Sequence, residues 1–287
     1  MSTESWRCAA LDGAIPVSSR WFALFLVGGM LPLLVIAGAL AQSPSQTDRV
    51  AMRFELFGRV GLHILTSRME IDQVGERYAI ASELTTRGLT GLLVDLTERS
   101  KVRGRLTADS VRPEDFRSDA RRNGEDRRDR VDYRDAGNIE GNASPPPITP
   151  ITAAQMQGTV DTLTAYLVVE RRLGRGGDCT LIIPVYEGRH RYDLHYTDRG
   201  EQILSPAGGQ RFAGATHACH MKRTEIAGFP ADPKASEGAR KGTVWYARLM
   251  PGDLLVPVRM ELGTEVGPVT GYLAEVRGRG VDLHLME

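Results

Sequence analysis

The chain has 287 residues, 41% of them hydrophobic and 25% charged, a globular composition that excludes wholesale disorder and collagen-like repeats. Basic and acidic residues both number 36, so the formal charge is zero, and a dedicated nucleic-acid binder, usually strongly basic, is excluded as well. With 31 glycines, 15 prolines and 6% aromatic residues, the mixture leans toward turn-rich β structure.

The first predicted element is the apolar run at 21–41, which carries no charge and is long enough to cross a bilayer. It ends in Ala39-Leu40-Ala41, the small-x-small pattern of a signal-peptidase site, and Arg20 abuts its start. The run is longer than the usual apolar region of a signal peptide, and Glu4 and Asp12 offset Arg7 and Arg20 before it, so an uncleaved anchor is the second reading. Residues 1–41 are thus expected to be a signal peptide or membrane anchor. Residues 42–287 are expected to be a single β-rich exported domain, periplasmic or held at the inner membrane facing the periplasm.

Cysteine usage agrees with export. Cys8 precedes the apolar run, leaving Cys179 and Cys219, an even count in a compartment that permits disulfides. Closing a loop of this length is worth about 4 kcal/mol in the chain-entropy model. The rival is a metal site, because His217, Cys219 and His220 cluster and His190 and His195 lie upstream. On a strand His217 and Cys219 share a face while His220 points the other way, and one thiolate with one imidazole is too few for structural zinc. A disulfide is therefore expected, with no metal and no cofactor; two unpaired buried thiols are the remaining alternative.

From residue 50 the chain reads as β. Val50, Met52, Phe54 and Leu56 alternate with polar or small neighbours, 60–71 is a second strand, and Tyr78, Ile80, Ser82 and Leu84 form the inner row of a third. Residues 88–96 read as strand or bend despite helical spacing of their leucines. Residues 98–135 then hold 12 basic and 10 acidic side chains, a mixture of signs unlike a nucleic-acid tail, and a charged exposed loop is expected near 108–130. A proline-rich surface crossing follows near 142–150. The helix signal is 159–172, with Thr159 as cap, Asp161 in the first turn and Arg171-Arg172 in the last. Gly174, Gly176 and Gly177 stop it. Strands are predicted at 181–186 and 189–196 around Glu187-Gly188, then at 202–204, 212–226, 242–250, 255–262, 269–276 and 281–285. The expected fold is α+β and mostly antiparallel: a curved sheet or open β-barrel wrapped on one helix, after an N-terminal apolar helix.

Catalytic motifs are missing from the sequence: it holds no GxSxG, HExxH, Walker A or CxxC pattern, so no enzyme is expected. A hydrolase using Asp161, Asp193 and His195 is a rival without nucleophile–base spacing to support it. Two charged groups are candidates for ligand binding. Arg189, Arg191 and Asp193 fall on one strand face, where an arginine pair clamps phosphate or carboxylate or else makes surface ion pairs. Arg99, Lys101, Arg103 and Arg105 repeat at period two, a row suited to anionic headgroups or to a neighbouring acidic strand. The strand faces also present Met52, Phe54, Leu56, Leu62, Ile64, Tyr78, Ile80 and Leu84. One helix of about 21 Å is too short to cover a sheet of around ten strands, so an open apolar concavity holding an acyl chain is expected, with an arginine at its mouth.

Several segments, in this order, carry a family likeness: residues 158–165 (GTVDTLTA), Cys179, residues 184–194 (PVYEGRHRYDL), Cys219 and residues 255–259 (LVPVR). Over roughly residues 50–276 the chain resembles the exported bacterial family catalogued as domain of unknown function 3108. It departs at Thr162, where the family tends to have proline, at Tyr186-Glu187 in place of Phe-Asp, and at His190 in place of a second arginine. The resemblance implies an envelope protein of unsettled function and, by analogy of architecture, the open-barrel carriers of lipoproteins or lipids. The expected function is a non-catalytic binding or carrier module for a lipid or apolar ligand, the alternative a structural or protein-interaction component of the envelope.

Overall fold

A computed structural model describes residues 48–86, 95–134, 137–232, 236–265 and 267–287. The apolar run at 21–41 and most of the stretch 88–96 lie outside the described residues. Among the described residues no helix is long and apolar enough to cross a membrane.

The first three strands, β1 (Asp48–Phe57), β2 (His63–Val74) and β3 (Arg77–Thr86), follow the predicted alternation, with Val50, Met52, Phe54, Tyr78 and Ile80 buried. Next come β4 (Leu96–Leu106), β5 (Val111–Arg122) and β6 (Glu125–Tyr133). The charged loop expected near 108–130 is therefore a long hairpin. Its turn is Asn123-Gly124, with φ of 51° and 84°, the left-handed pair that matches the twist of two-residue hairpins. Charges on its strands offset one another, as in Arg130 with Asp119 at 2.8 Å, while Phe116, Ser118 and Val131 face inward. Serine stands at an inward position, so the apolar alternation that marks a strand is faint here.

The proline-rich crossing begins later than expected, because β7 (Ile139–Ser144) takes up its first residues. Prolines 145–147 follow outside the sheet, since proline cannot donate to a ladder. After a single helical turn, α1 (Ala153–Met156), comes α2 (Thr162–Gly174). Its cap is Asp161, not Thr159: the Asp161 carboxylate accepts from Thr164 N at 3.0 Å and from the Thr164 hydroxyl at 2.5 Å. The Thr159 hydroxyl instead donates to Met156 O. The remaining strands are β8 (Leu181–Tyr186), β9 (Arg191–Leu204), β10 (Gly214–Ala227), β11 (Lys241–Ala247), β12 (Val256–Thr264), β13 (Gly267–Gly278) and β14 (Val281–His284).

All fourteen strands form one curved, unclosed sheet in the order β7-β6-β5-β4-β3-β2-β1-β13-β12-β11-β10-β9-β8, with β14 on β13. Every neighbouring pair is antiparallel. The end strands β7 and β8 share no ladder, yet side chains join the two ends. Tyr133 of β6 donates to Tyr186 O at 2.7 Å, and Arg189 reaches Asp129 at 2.9 Å and Pro145 O at 2.7 Å. Gly141 of β7 leaves the space that the Tyr186 ring fills; a methyl there would overlap the Tyr186 hydroxyl.

Rolling the sheet on itself determines what α2 touches. Leu163 and Leu167 join the larger core cluster with Phe54, Ile80, Val102 and Phe116. Ala165, Val169 and Leu173 join the second, with Val185, Leu194 and the two cysteines. The open apolar concavity expected from the strand faces is corrected by this packing. Five of its eight residues, Met52, Phe54, Leu56, Tyr78 and Ile80, are buried in the core, and Leu62 is exposed. The surface meant for an acyl chain is already covered by protein, at about 2 kcal/mol for each large side chain withdrawn from water.

Candidate functional site

The interior changes character along the strands. Ile80, Val102, Phe116 and Val131 stand opposite one another across β3–β6 as a dry row. Two residues farther along, Ser82, Ser100, Ser118 and Asp129 form the next inward row, and the three serines are buried. Beyond them Leu84, Glu98, Ala120 and Arg127 are in register. Glu98 Oε1 lies 2.9 Å from Ser100 Oγ and 3.3 Å from Ser118 Oγ. Burial pushes its carboxyl above the ordinary range; the Ser100 hydroxyl offsets part of this, and the charge of Glu187 adds to it.

A second group of polar side chains gathers around Glu187, at the turn between β8 and β9. Its carboxylate accepts from the Thr162 hydroxyl at 2.5 Å and the Tyr192 hydroxyl at 3.1 Å, and lies 3.2 Å from His190 Nδ1. Burial pushes this carboxyl up, but the His190 contact and the two hydroxyls outweigh burial and leave it below the usual range. His190 stacks on Phe229 at 4.4 Å, and the Arg223 guanidinium sits 5.0 Å from the same ring and 5.8 Å from that of Tyr192. Arg223 is held by Glu225, Ser236 and Glu237 O, while its buried Nε has no hydrogen-bond partner.

Helix α2 supplies the centre of this polar half. Leu163, Thr164, Ala165, Leu167, Val169, Glu170, Arg171 and Leu173 are buried, and Arg172 is exposed. Tyr166, in the middle, keeps 37% of its surface open. Its phenol is nevertheless pushed up to about 12, chiefly by loss of solvation and then by the charges of Glu187 and Glu98. One turn on, Glu170 is 2% exposed, its Oε2 has no hydrogen-bond partner, and burial raises its carboxyl to about 8. The groups whose charges reach Tyr166 are thus three carboxylates and an arginine, drawn from α2, β4, β10 and the β8–β9 turn, a polar setting unsuited to an acyl chain.

The candidate arginines do not meet there as a clamp. Arg189 is buried against Asp129, whose carboxyl is raised to about 6 because burial outweighs the Arg189 charge. Arg191 donates to Gln155 O, Tyr192 O and Asp193. Internal partners therefore hold both arginines, and Asp193 serves Arg191. Arg99, Lys101, Arg103 and Arg105 share the outer, exposed face of β4, opposite the buried Ser100 and Val102. Arg99 pairs with Glu83, Arg103 with Asp115 and Arg105 with Glu114, the acidic-neighbour arrangement. Two charged surface hollows adjoin this row, one of about 250 Å³ lined by Arg99, Asp119 and Arg127 and one of about 390 Å³ lined by Asp72, Arg103 and Glu114.

Cys179 and Cys219 form the expected disulfide, with Cα atoms 6.1 Å apart and both residues fully buried. It ties the connection between α2 and β8 to the middle of β10, across β9. Cys179→Ala is expected to lower the unfolding free energy by about 2–4 kcal/mol under oxidising conditions, measured by urea denaturation. His220 lies on the other side of β10, near the Thr243 hydroxyl, as the strand period required. Sequence reasoning missed Asp198, Glu98, Glu170 and Arg223. Glu98 was in the charge count but stood out from nothing around it, and Glu170 looked like the polar end of an apolar helix face.

Comparison with curated proteins returns no match. A solved structure, a beta-barrel-like protein of domain of unknown function DUF1849 from Brucella abortus, is similar at 11% identity and a TM-score of 0.49. The match covers 82% of this chain and 99% of that one. Residues 50–274 match the family described as protein of unknown function (DUF3108), and with most of its length accounted for in this way the chain belongs to that family.

Proposed function

We propose that this chain is an exported, non-catalytic binding protein of the cell envelope, which takes a polar, hydrogen-bonding ligand in the recess around Tyr166. The observation that carries the reading is Tyr166 itself, 37% open between the buried Ala165 and Leu167 in the middle of α2. The apolar run at 21–41, its Ala-Leu-Ala end and the Cys179–Cys219 disulfide support an oxidising compartment outside the cytosol. The lining favours a polar ligand over the acyl chain, because buried side chains already use the apolar strand faces.

Thiol labelling tests the recess. In a Cys8→Ser background, Tyr166→Cys is expected to react with a small charged thiol reagent at least ~10-fold faster than Val169→Cys, which sits in closed core. Equal rates would show that position 166 is as closed as 169 and would remove the proposed site.

A further inference from the structure

The surroundings of the disulfide hold more donors than a structural cross-link needs. Cys179, Cys219 and His217 bring two sulfurs and an imidazole nitrogen within 4.8 Å of one another. Asp198, opposite Cys219 on β9, adds an oxygen: its Oδ2 lies 2.5 Å from His217 Nε2 and 3.5 Å from Cys179 Sγ, and accepts from Cys179 N at 3.1 Å. A register shift of β10 between His217 and Cys219 accompanies this convergence. The cysteines are fully buried, whereas the His217 and Asp198 side chains are 22% and 23% exposed, which gives an ion a route in from one side.

We infer that the reduced protein binds a divalent zinc-class cation through Cys179 Sγ, Cys219 Sγ, His217 and Asp198. This inference does not depend on the ligand recess around Tyr166. Two thiolates, one imidazole and one carboxylate are a complete tetrahedral set for Zn²⁺. With Zn–S bonds of about 2.3 Å the two sulfurs would stand about 3.8 Å apart, a separation that side-chain rotation reaches from the present Cα spacing of 6.1 Å. The chemistry balances with an external phosphine as reductant. The phosphine and water supply two electrons and two protons, the S–S bond breaks into two thiols, and the phosphine becomes its oxide. The cation then displaces both thiol protons as it binds. The same junction thus has two alternative cross-links, a covalent one in oxidising surroundings and a metal one after reduction.

The test uses the full chain in detergent, reduced with a water-soluble phosphine and titrated with Co²⁺ as a spectroscopic stand-in for Zn²⁺, with near-ultraviolet circular dichroism recorded at each point. The expected result is one equivalent of tetrahedral, thiolate-ligated cobalt, unchanged in His220→Ala. In His217→Ala and Asp198→Asn the affinity should fall at least ~10-fold, while both variants keep the wild-type dichroism when oxidised. Absence of the tetrahedral spectrum in reduced wild type would overturn the inference. So would a spectrum that His217→Ala and Asp198→Asn leave unchanged, or a reduced chain that loses its dichroism and does not regain it with Co²⁺.

Discussion

Arg189→Ala is expected to lower the unfolding free energy by about 3 kcal/mol, because it leaves the mostly buried Asp129, 15% exposed, without its arginine where the two ends of the sheet meet. Arg189 is 9% exposed and also donates to Pro145 O, so its loss removes two of the contacts that join the β6–β7 end to the β8–β9 turn. The cost should depend on pH in a definite sense. Asp129 is already raised to about 6, and without Arg189 it rises further. A raised carboxyl is neutral in the folded state at low pH, so the penalty is small in acid and grows as pH rises through 6 and above. Asp129→Ala combined with Arg189→Ala should cost less than Arg189→Ala alone, since no orphaned charge remains. Urea denaturation at pH 5 and pH 8 checks all three statements. A loss below about 1 kcal/mol at pH 8 would mean that the sheet ends are not joined here.

Glu170→Gln is expected to make the protein more stable at alkaline pH, by up to about 4 kcal/mol near pH 8.5. The sign follows from where the proton sits. Burial raises the folded-state carboxyl to about 8 against an ordinary 4.5, so the folded protein holds a proton that the unfolded chain releases between those values. Stability attributable to this group is full below pH 4.5 and is lost as pH rises toward 8 and beyond. Glutamine keeps the shape and stays neutral, so the variant's stability curve should be flatter across that window. Thermal unfolding from pH 5 to pH 9 reads the difference. Parallel curves for the two proteins would show that Glu170 is solvated in the folded state.

The sequence made the strand-rich fold legible wherever inward positions were large and apolar. Val50, Met52 and Phe54 announce β1 without ambiguity, and the pair Cys179 and Cys219 needed only an oxidising compartment to be joined. The β5–β6 hairpin was hidden because Ser118 occupies the inward register and charges pair across the outer face. Its Asn123-Gly124 turn was the readable signal. The cap of α2 moved to Asp161 because a carboxylate with two donors at hand displaces a threonine that closes the turn before it.

The proposed recess was not readable for a different reason. Glu98 on β4, Glu170 on α2, Glu187 before β9 and Arg223 on β10 are distant in sequence, and only the rolling of the sheet places them around Tyr166. The arginines that the sequence did single out were legible as charges but not as internal latches, since their partners Asp129, Pro145 O and Gln155 O lie on other elements.

Native mass spectrometry of the protein purified from its native cells tests the central claim most directly, comparing wild type with Tyr166→Ala. The account predicts a bound polar molecule of defined mass on the wild type, displaced or greatly reduced in the variant, with both proteins retaining the Cys179–Cys219 disulfide. A wild-type protein that flies at its bare polypeptide mass, or an adduct equally abundant on the variant, would contradict it.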